Sequence, residues 1–277
     1  MAEALTPEQI SEKLYRFDRV ADKLERLSDI GEEALKQYQT QGFLGINKAL
    51  SEQEVSTAIA AIVDIITYEN QGAKLQYVKP LSELPTIEDR ELALRKIYDF
   101  TSEDGNERLK AIANHPSILA AAEKILGEKP KLVQDMALLK PPHGGGEKPW
   151  HQDMAYGNLA YDKSVVGVWI ALDDADLDNG CMHVIPGSHA GGAIPHYAIR
   201  DWQICDLHVP VERDVAVPLP SGGLMLFHGL LSHGTPYNHS VKRRRALQFH
   251  YVGESAVRLS PKEYKRFFTN EMTGAEC

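Results

Sequence analysis

Beyond Pro130 the apolar residues of this chain come in short runs, each closed by residues that turn the backbone. Leu132–Lys140, Ser164–Leu172, Met182–Ile185, Val215–Pro218, Gly223–Phe227 and Ala246–Val252 are the runs. Between them stand Pro141-Pro142, His143 to Gly146, Asp178-Asn179-Gly180, Pro186-Gly187 and Ser221-Gly222-Gly223. Many short strands at turn-limited spacing indicate a β-sandwich or jelly roll.

The first half reads differently. Thr6 and Gln9 form a capping box with Pro7 at the first helical position, and Ile10, Leu14, Phe17, Ala21, Leu24 and Leu27 follow at helical spacing. This predicts an amphipathic helix over 7–27. A second helix is expected from Ser28 to about Gln39, a strand over Gly42–Ile46, and a helix from the Ser51/Glu54 capping box to about Tyr68. Residues 69–90 are mixed and polar, the texture of an irregular loop. Pro116–Leu126 is helical and stops at Gly127, and a last helix follows Ser260-Pro261. The expected fold is mainly β with flanking helices (α+β), a jelly roll with a helical N-terminal region. It forms one domain over 1–277: mostly helical support over 1–128, the β core over 130–253, and a C-terminal helix and tail over 260–277.

With 277 residues, 43% of them apolar and 25% charged, the chain can bury a sizeable core. A net charge of −9 disfavours a general nucleic-acid binder, because a polyanion would be repelled on average. Three cysteines, Cys181, Cys205 and Cys277, are widely spaced with no CxxC, the usage of a reducing compartment. The N-terminus lacks a charged start followed by an apolar run, and no apolar stretch is long enough to cross a bilayer. The expectation is a cytoplasmic protein with no membrane and no nucleic-acid partner.

His151-Gln152-Asp153 places two good ligands at i and i+2, which share a face in a strand. His233, just after a buried-looking run, supplies a third. Two imidazoles and one carboxylate on one face of an octahedron make the facial triad of non-haem iron(II), whose opposite face stays open for co-substrate and oxygen. An HxD alone is more often a surface pair or a satisfied core histidine, and His183, His189, His228, His239 and His250 compete for the third place. His183 and His189 read best as hydrogen-bonded core groups.

Further motifs give the triad its context. Lys140-Pro141-Pro142, the run from Pro149 to Asp153, the run from Asp178 to His189, and the stretch from His233 to His250 stand in order. Together they resemble the phytanoyl-CoA dioxygenase family, from about Gln39 to Tyr251. The resemblance implies a double-stranded β-helix core and an enzyme, an oxygenase using iron(II), 2-oxoglutarate and O2. It implies His151, Asp153 and His233 as metal ligands and catalytic centre. It puts the arginine that clamps the far carboxylate of 2-oxoglutarate on Arg244, with Ala246, Leu247 and His250 in register. Alternation would turn Arg243 and Arg245 to the other face. Gln152, Thr235, Trp169, Met136 and Lys96 fall on positions that touch the co-substrate.

The reaction so implied releases succinate and carbon dioxide while oxidising a C–H bond of a small-molecule substrate. An aspartate at 153 argues against halogenation, which in this family needs Gly or Ala there. Substrate contacts are expected from His143–Lys148, from Tyr156–Tyr161, and from the connection 191–214, with Tyr156, Asn158, Arg200 and Trp202 as candidates. The competing readings are a cupin-type metalloenzyme that does not use 2-oxoglutarate and a family member that binds a ligand without turnover.

Overall fold

A computed structural model describes residues 5–68, 72–272, 274 and 276–277. The chain enters through α1 (Pro7–Leu14), β1 (Arg19–Val20), β2 (Lys23–Arg26), α2 (Glu32–Gln41), β3 (Phe43–Lys48) and α3 (Glu52–Tyr68). The expected helix over 7–27 is therefore cut short at Leu14. Tertiary contacts override its periodicity: Trp150 Nε1 donates to the Leu14 carbonyl at 2.9 Å. Tyr15 stacks on Trp150 and its hydroxyl donates to the Lys148 carbonyl at 2.8 Å. The chain then runs extended, with β1 parallel to a later strand and β2 parallel to β3.

The segment expected to be irregular also differs. It holds β4 (Lys74–Tyr77) and leads into α4 (Ile87–Ala93) and β5 (Leu94–Tyr98). A further capping box, Thr86 with Asp89, starts α4. The described residues of the first 128 thus contribute five strands as well as helices, completed by α5 (Glu107–Ala113) and α6 (Pro116–Leu126).

The β core follows as β6 (Pro130–Lys140), β7 (Lys148–His151), β8 (Val165–Ala171), β9 (Met182–Val184), β10 (His196–Ala198), β11 (Trp202–Ile204), β12 (Val215–Val217), β13 (Leu224–His228), β14 (His233–Thr235) and β15 (Arg244–Gly253). The C-terminal α7 spans Pro261–Phe268. Four strands in the order β6-β15-β8-β13 face four in the order β7-β14-β9-β12, which is a double-stranded β-helix. The first sheet is widened by β5-β4 at one edge and β3-β2 at the other; the second gains β1.

Strict alternation sorts the core into two layers. On β13, Leu224 and Leu226 pack under the helices with Ile62, Ile65 and Leu109, while Met225 and Phe227 face the second sheet with Val184 and Val217. On β15, Leu247, Phe249 and Tyr251 take the helix side. Arg244, Gln248 and His250, two residues apart or multiples of two, share the opposite side between the sheets.

Among the cysteines, Cys205 and Cys277 form a disulfide, with Cα atoms 5.5 Å apart, and Cys181 is free and buried. This departs from the reducing pattern read from cysteine usage: wide separation in sequence does not prevent the C-terminus from folding back on the 205–208 turn. No helix among the described residues is long and apolar enough to cross a membrane.

Candidate metal centre and co-substrate cavity

The second sheet brings the triad together. His151 ends β7 and His233 begins β14, and the antiparallel register sets them directly opposite each other. Their ring centroids lie 4.2 Å apart. Gln152 continues β7 in extended conformation, so Asp153, which opens a short 3-10 turn, returns to the face of His151. One ligand atom from each of His151, Asp153 and His233 lies within 4.8 Å of the others, and all three residues are buried.

Hydrogen bonds fix how each ligand is presented. His151 Nδ1 lies 2.7 Å from the Pro149 carbonyl, and His233 Nδ1 2.9 Å from that of Leu231. A ring N–H donated to a carbonyl at Nδ1 leaves the Nε2 lone pair for a metal. Burial depresses the pKa of both imidazoles, that of His151 to about 4, so both are neutral at pH 7 and ready to ligate. Asp153 is divided between two tasks. Its Oδ1 faces His151 Nε2 at 3.3 Å and His233 Nε2 at 3.6 Å. Its Oδ2 accepts from Gln248 at 3.0 Å and from His250 at 2.7 Å. Burial alone would raise this carboxyl, yet His233, His250 and His151 hold it well below the usual range.

A cavity of about 780 Å³ contains the triad together with Met136, Lys140, Trp169, Thr235, Arg244 and Gln248. Arg244 is 3% exposed, its guanidinium lies over the Trp169 ring at 5.2 Å, and its Nε has no hydrogen-bond partner. Among the described residues no carboxylate pairs with it. Burial brings its pKa down to about 10. Its neighbours do turn outward: Arg245 makes a two-point ion pair with Asp173, and Arg243 pairs with Glu91.

Of the other residues singled out in the sequence, Thr235, Trp169, Met136, Lys96 and Tyr156 line this cavity. Gln152 does not. Its amide donates to the Gly192 and Leu230 carbonyls and accepts from Ile194 N–H, so every polar atom of the side chain is used on the far side of the strand. Lying between two ligands, it is turned away by the same alternation that aligns them. Asn158, Arg200 and Trp202 also lie outside the lining. Asn158 is exposed, Arg200 is held by Glu147 and Asp206, and Trp202 Nε1 donates to the Ala155 carbonyl. Of the connection 191–214, Asp201 alone reaches the cavity, where it joins Arg95 at 3.0 Å and Lys148 at 2.7 Å. His183 and His189 are hydrogen-bonded supports, to Asp214 and to the Gln39 carbonyl.

The structure adds a residue that sequence reading passed over, Gln248, and a role it had not assigned to His250. Gln248 and His250 anchor Asp153, and β4 with α4 walls the outer cavity through Gln76, Asp89 and Leu92. Gln248 sits at the alternation period from Arg244, which was the available signal.

Fold and site together define a cupin-like double-stranded β-helix protein with a two-histidine, one-carboxylate metal-binding group. The chain belongs to the phytanoyl-CoA dioxygenase (PhyH) family, whose description matches residues 38–246. It is 32% identical over 163 residues to phytanoyl-CoA dioxygenase domain-containing protein 1 of Bos taurus, a match covering 56% of each protein. The chain thus spans about half the length of that relative. It is 26% identical over 247 residues to the peroxisomal phytanoyl-CoA dioxygenase of Rattus norvegicus, covering 83% of this chain and 70% of that one. Among solved structures it resembles the epimerase SnoN in complex with Fe3+, alpha ketoglutarate and nogalamycin RO. The TM-score is 0.65 at 21% identity, over 83% of this chain and 86% of that one.

Proposed function

We propose that this chain is an iron(II)- and 2-oxoglutarate-dependent oxygenase that oxidises a C–H bond of a small molecule, releasing succinate and carbon dioxide. The observation that carries this reading is Arg244. A buried guanidinium without a counter-ion, in the same cavity as the triad, is costly unless an anion completes it. A dicarboxylate with one end at a metal and the other at Arg244 meets that need. A planar guanidinium also matches a carboxylate geometrically.

In this reading His151, Asp153 and His233 would hold iron through one atom each, a donor set suited to iron(II). The iron and 2-oxoglutarate, when bound, supply the oxidising chemistry. The chain does the rest. The Pro149 and Leu231 carbonyls set the imidazole tautomers, and Gln248 and His250 hold Asp153 by its other oxygen. Thr235 and Arg244 bind the far carboxylate, while Trp169 beneath the guanidinium and Met136 opposite Gln248 line the cavity with apolar surface and exclude water. Lys96, whose pKa burial and then Lys148 lower, brings a cation toward the metal side of the cavity. The outer wall formed by β4, α4 and the 144–148 loop would select the substrate, with Tyr156 at its inner edge. A cavity of about 780 Å³ suits a small molecule. A cytoplasmic setting, the expectation from cysteine usage, would require the Cys205–Cys277 bond to be reduced there.

The test is spectroscopic. Adding 2-oxoglutarate to the iron(II)-loaded protein without oxygen should produce a visible charge-transfer band, absent in His151→Ala and weakened in Arg244→Ala. If metal binds stoichiometrically and 2-oxoglutarate leaves the spectrum unchanged, a cupin-type metalloenzyme that uses no 2-oxoglutarate is the better description.

A further inference from the structure

Lys140, 5% exposed, ends β6 and lines the cavity of the triad. It is built in from several directions. A Cβ at Gly145 would collide with its methylenes, and one at Gly180, where φ is +87°, would lie 2.9 Å from its Nζ. The ammonium donates to Thr235 Oγ1 at 3.0 Å and to the Pro236 carbonyl. Among the described residues no carboxylate pairs with it. Arg244 stands directly across the β6–β15 register. Burial, and then the charge of Arg244, draws this lysine well below the ordinary amine range.

Two adjacent buried cations without a counter-ion are unfavourable in an empty protein. One lysine hydrogen bond also decides the direction of another. Thr235 Oγ1 accepts from Lys140, so its own hydroxyl hydrogen is left for a different acceptor, and Thr235 lines the cavity beside Arg244.

We propose that Lys140 is a positioning residue for the distal carboxylate of a dicarboxylic 2-oxo acid. It turns the Thr235 hydroxyl hydrogen into the cavity and adds a second positive charge next to Arg244. This inference rests on the co-substrate reading above. The competing account is a strut that ties β6 to the Thr235–Pro236 turn. A strut would affect stability and all ligands alike. A clamp affects the dicarboxylate selectively.

The experiment is calorimetric titration of the iron(II)-loaded chain without oxygen, using 2-oxoglutarate and 2-oxopentanoate, the same chain without the distal carboxylate. Lys140→Met should weaken 2-oxoglutarate binding by roughly 10- to 100-fold, the range of a charge-assisted contact, and leave 2-oxopentanoate binding as in the wild type. Thr235→Val, which keeps the ammonium, should give a smaller loss with the same selectivity. Folded Lys140→Met that keeps wild-type affinity for 2-oxoglutarate, or loses both ligands equally, overturns the proposal. If circular dichroism finds Lys140→Met unfolded, Lys140→Gln, which keeps a donor near Thr235 without the charge, decides by the same two criteria. Wild-type protein that binds no 2-oxoglutarate removes the co-substrate reading, and Lys140 with it; wild-type binding with unselective variants removes Lys140 alone.

Discussion

His250 Nε2 lies 2.7 Å from Asp153 Oδ2, while the other carboxylate oxygen, Oδ1, faces His151 and His233. The strand that carries the cavity's arginine therefore also holds the metal-side carboxylate, and one strand of the large sheet links both ends of the site. His250 and Gln248 keep Oδ2 occupied as an acceptor, so that Asp153 presents a single oxygen to the centre.

Replacing this anchor should loosen the metal without removing a ligand. His250→Leu, and more mildly Gln248→Leu, should lower iron(II) affinity by roughly 10- to 100-fold. Competition with a chelator of known affinity measures it. Unchanged affinity in a folded His250→Leu would show that Asp153 needs no such support.

Arg244 sets stability against ligand binding. Its buried guanidinium has Trp169 beneath it and, among the described residues, no carboxylate to pair with. Arg244→Met keeps much of the side-chain volume and removes the charge. It should stabilise the free protein, by on the order of 1 kcal/mol. It should also shrink the further rise in melting temperature that 2-oxoglutarate gives the metal-loaded wild type. A free variant that melts lower than wild type would mean that the cation is balanced in the empty protein.

The legible parts of this protein are those where residue type and turn spacing agree. β8, β13 and β15 hold short apolar runs closed by turn residues, and His151, Asp153 and His233 are chemically conspicuous. What escaped reading depends on contacts distant in sequence. Ile10 to Leu27 has helical spacing, but Trp150 and Lys148 bind the chain just where the helix stops. β7 and β14 are four and three residues long and carry His, Lys and Thr, so nothing in their composition marks them as strands. Gln152 looks like part of the site because it lies between two ligands, and backbone alternation sends it the other way. Lys140 reads as the polar end of a strand until Thr235 and Arg244, about a hundred residues later, are folded beside it.

Gly167 ties the sheet to the centre. A Cβ there would collide with the Phe227 ring, whose centroid lies 4.8 Å from that of His233. Gly167→Ala should cost about 1–3 kcal/mol as overpacking. Because the displaced ring presses toward a metal ligand, iron(II) affinity should fall as well. Chemical denaturation and metal titration separate the two effects; lost stability with unaltered affinity would show that Phe227 yields in another direction.

Acid should undo the metal-free fold through its buried imidazoles. His196 Nε2 accepts from Gln152 N–H at 2.9 Å and its Nδ1 lies 2.8 Å from the Ile194 carbonyl, an arrangement that requires the neutral ring. Burial depresses His196 to about 3, and His151 and His228 to about 4. An unfolded histidine titrates near 6.5, so between that value and the depressed ones the unfolded chain binds more protons. The stability these neutral rings contribute is fully present above about pH 6.5 and is lost progressively as pH falls through 4 toward 3. Melting temperature measured from pH 8 to pH 4 in the presence of a chelator should hold level and then decline below about 6.5. His196→Gln places an uncharged amide near the Gln152 N–H and should make that decline shallower. A decline equally steep in this variant would remove His196 from the explanation.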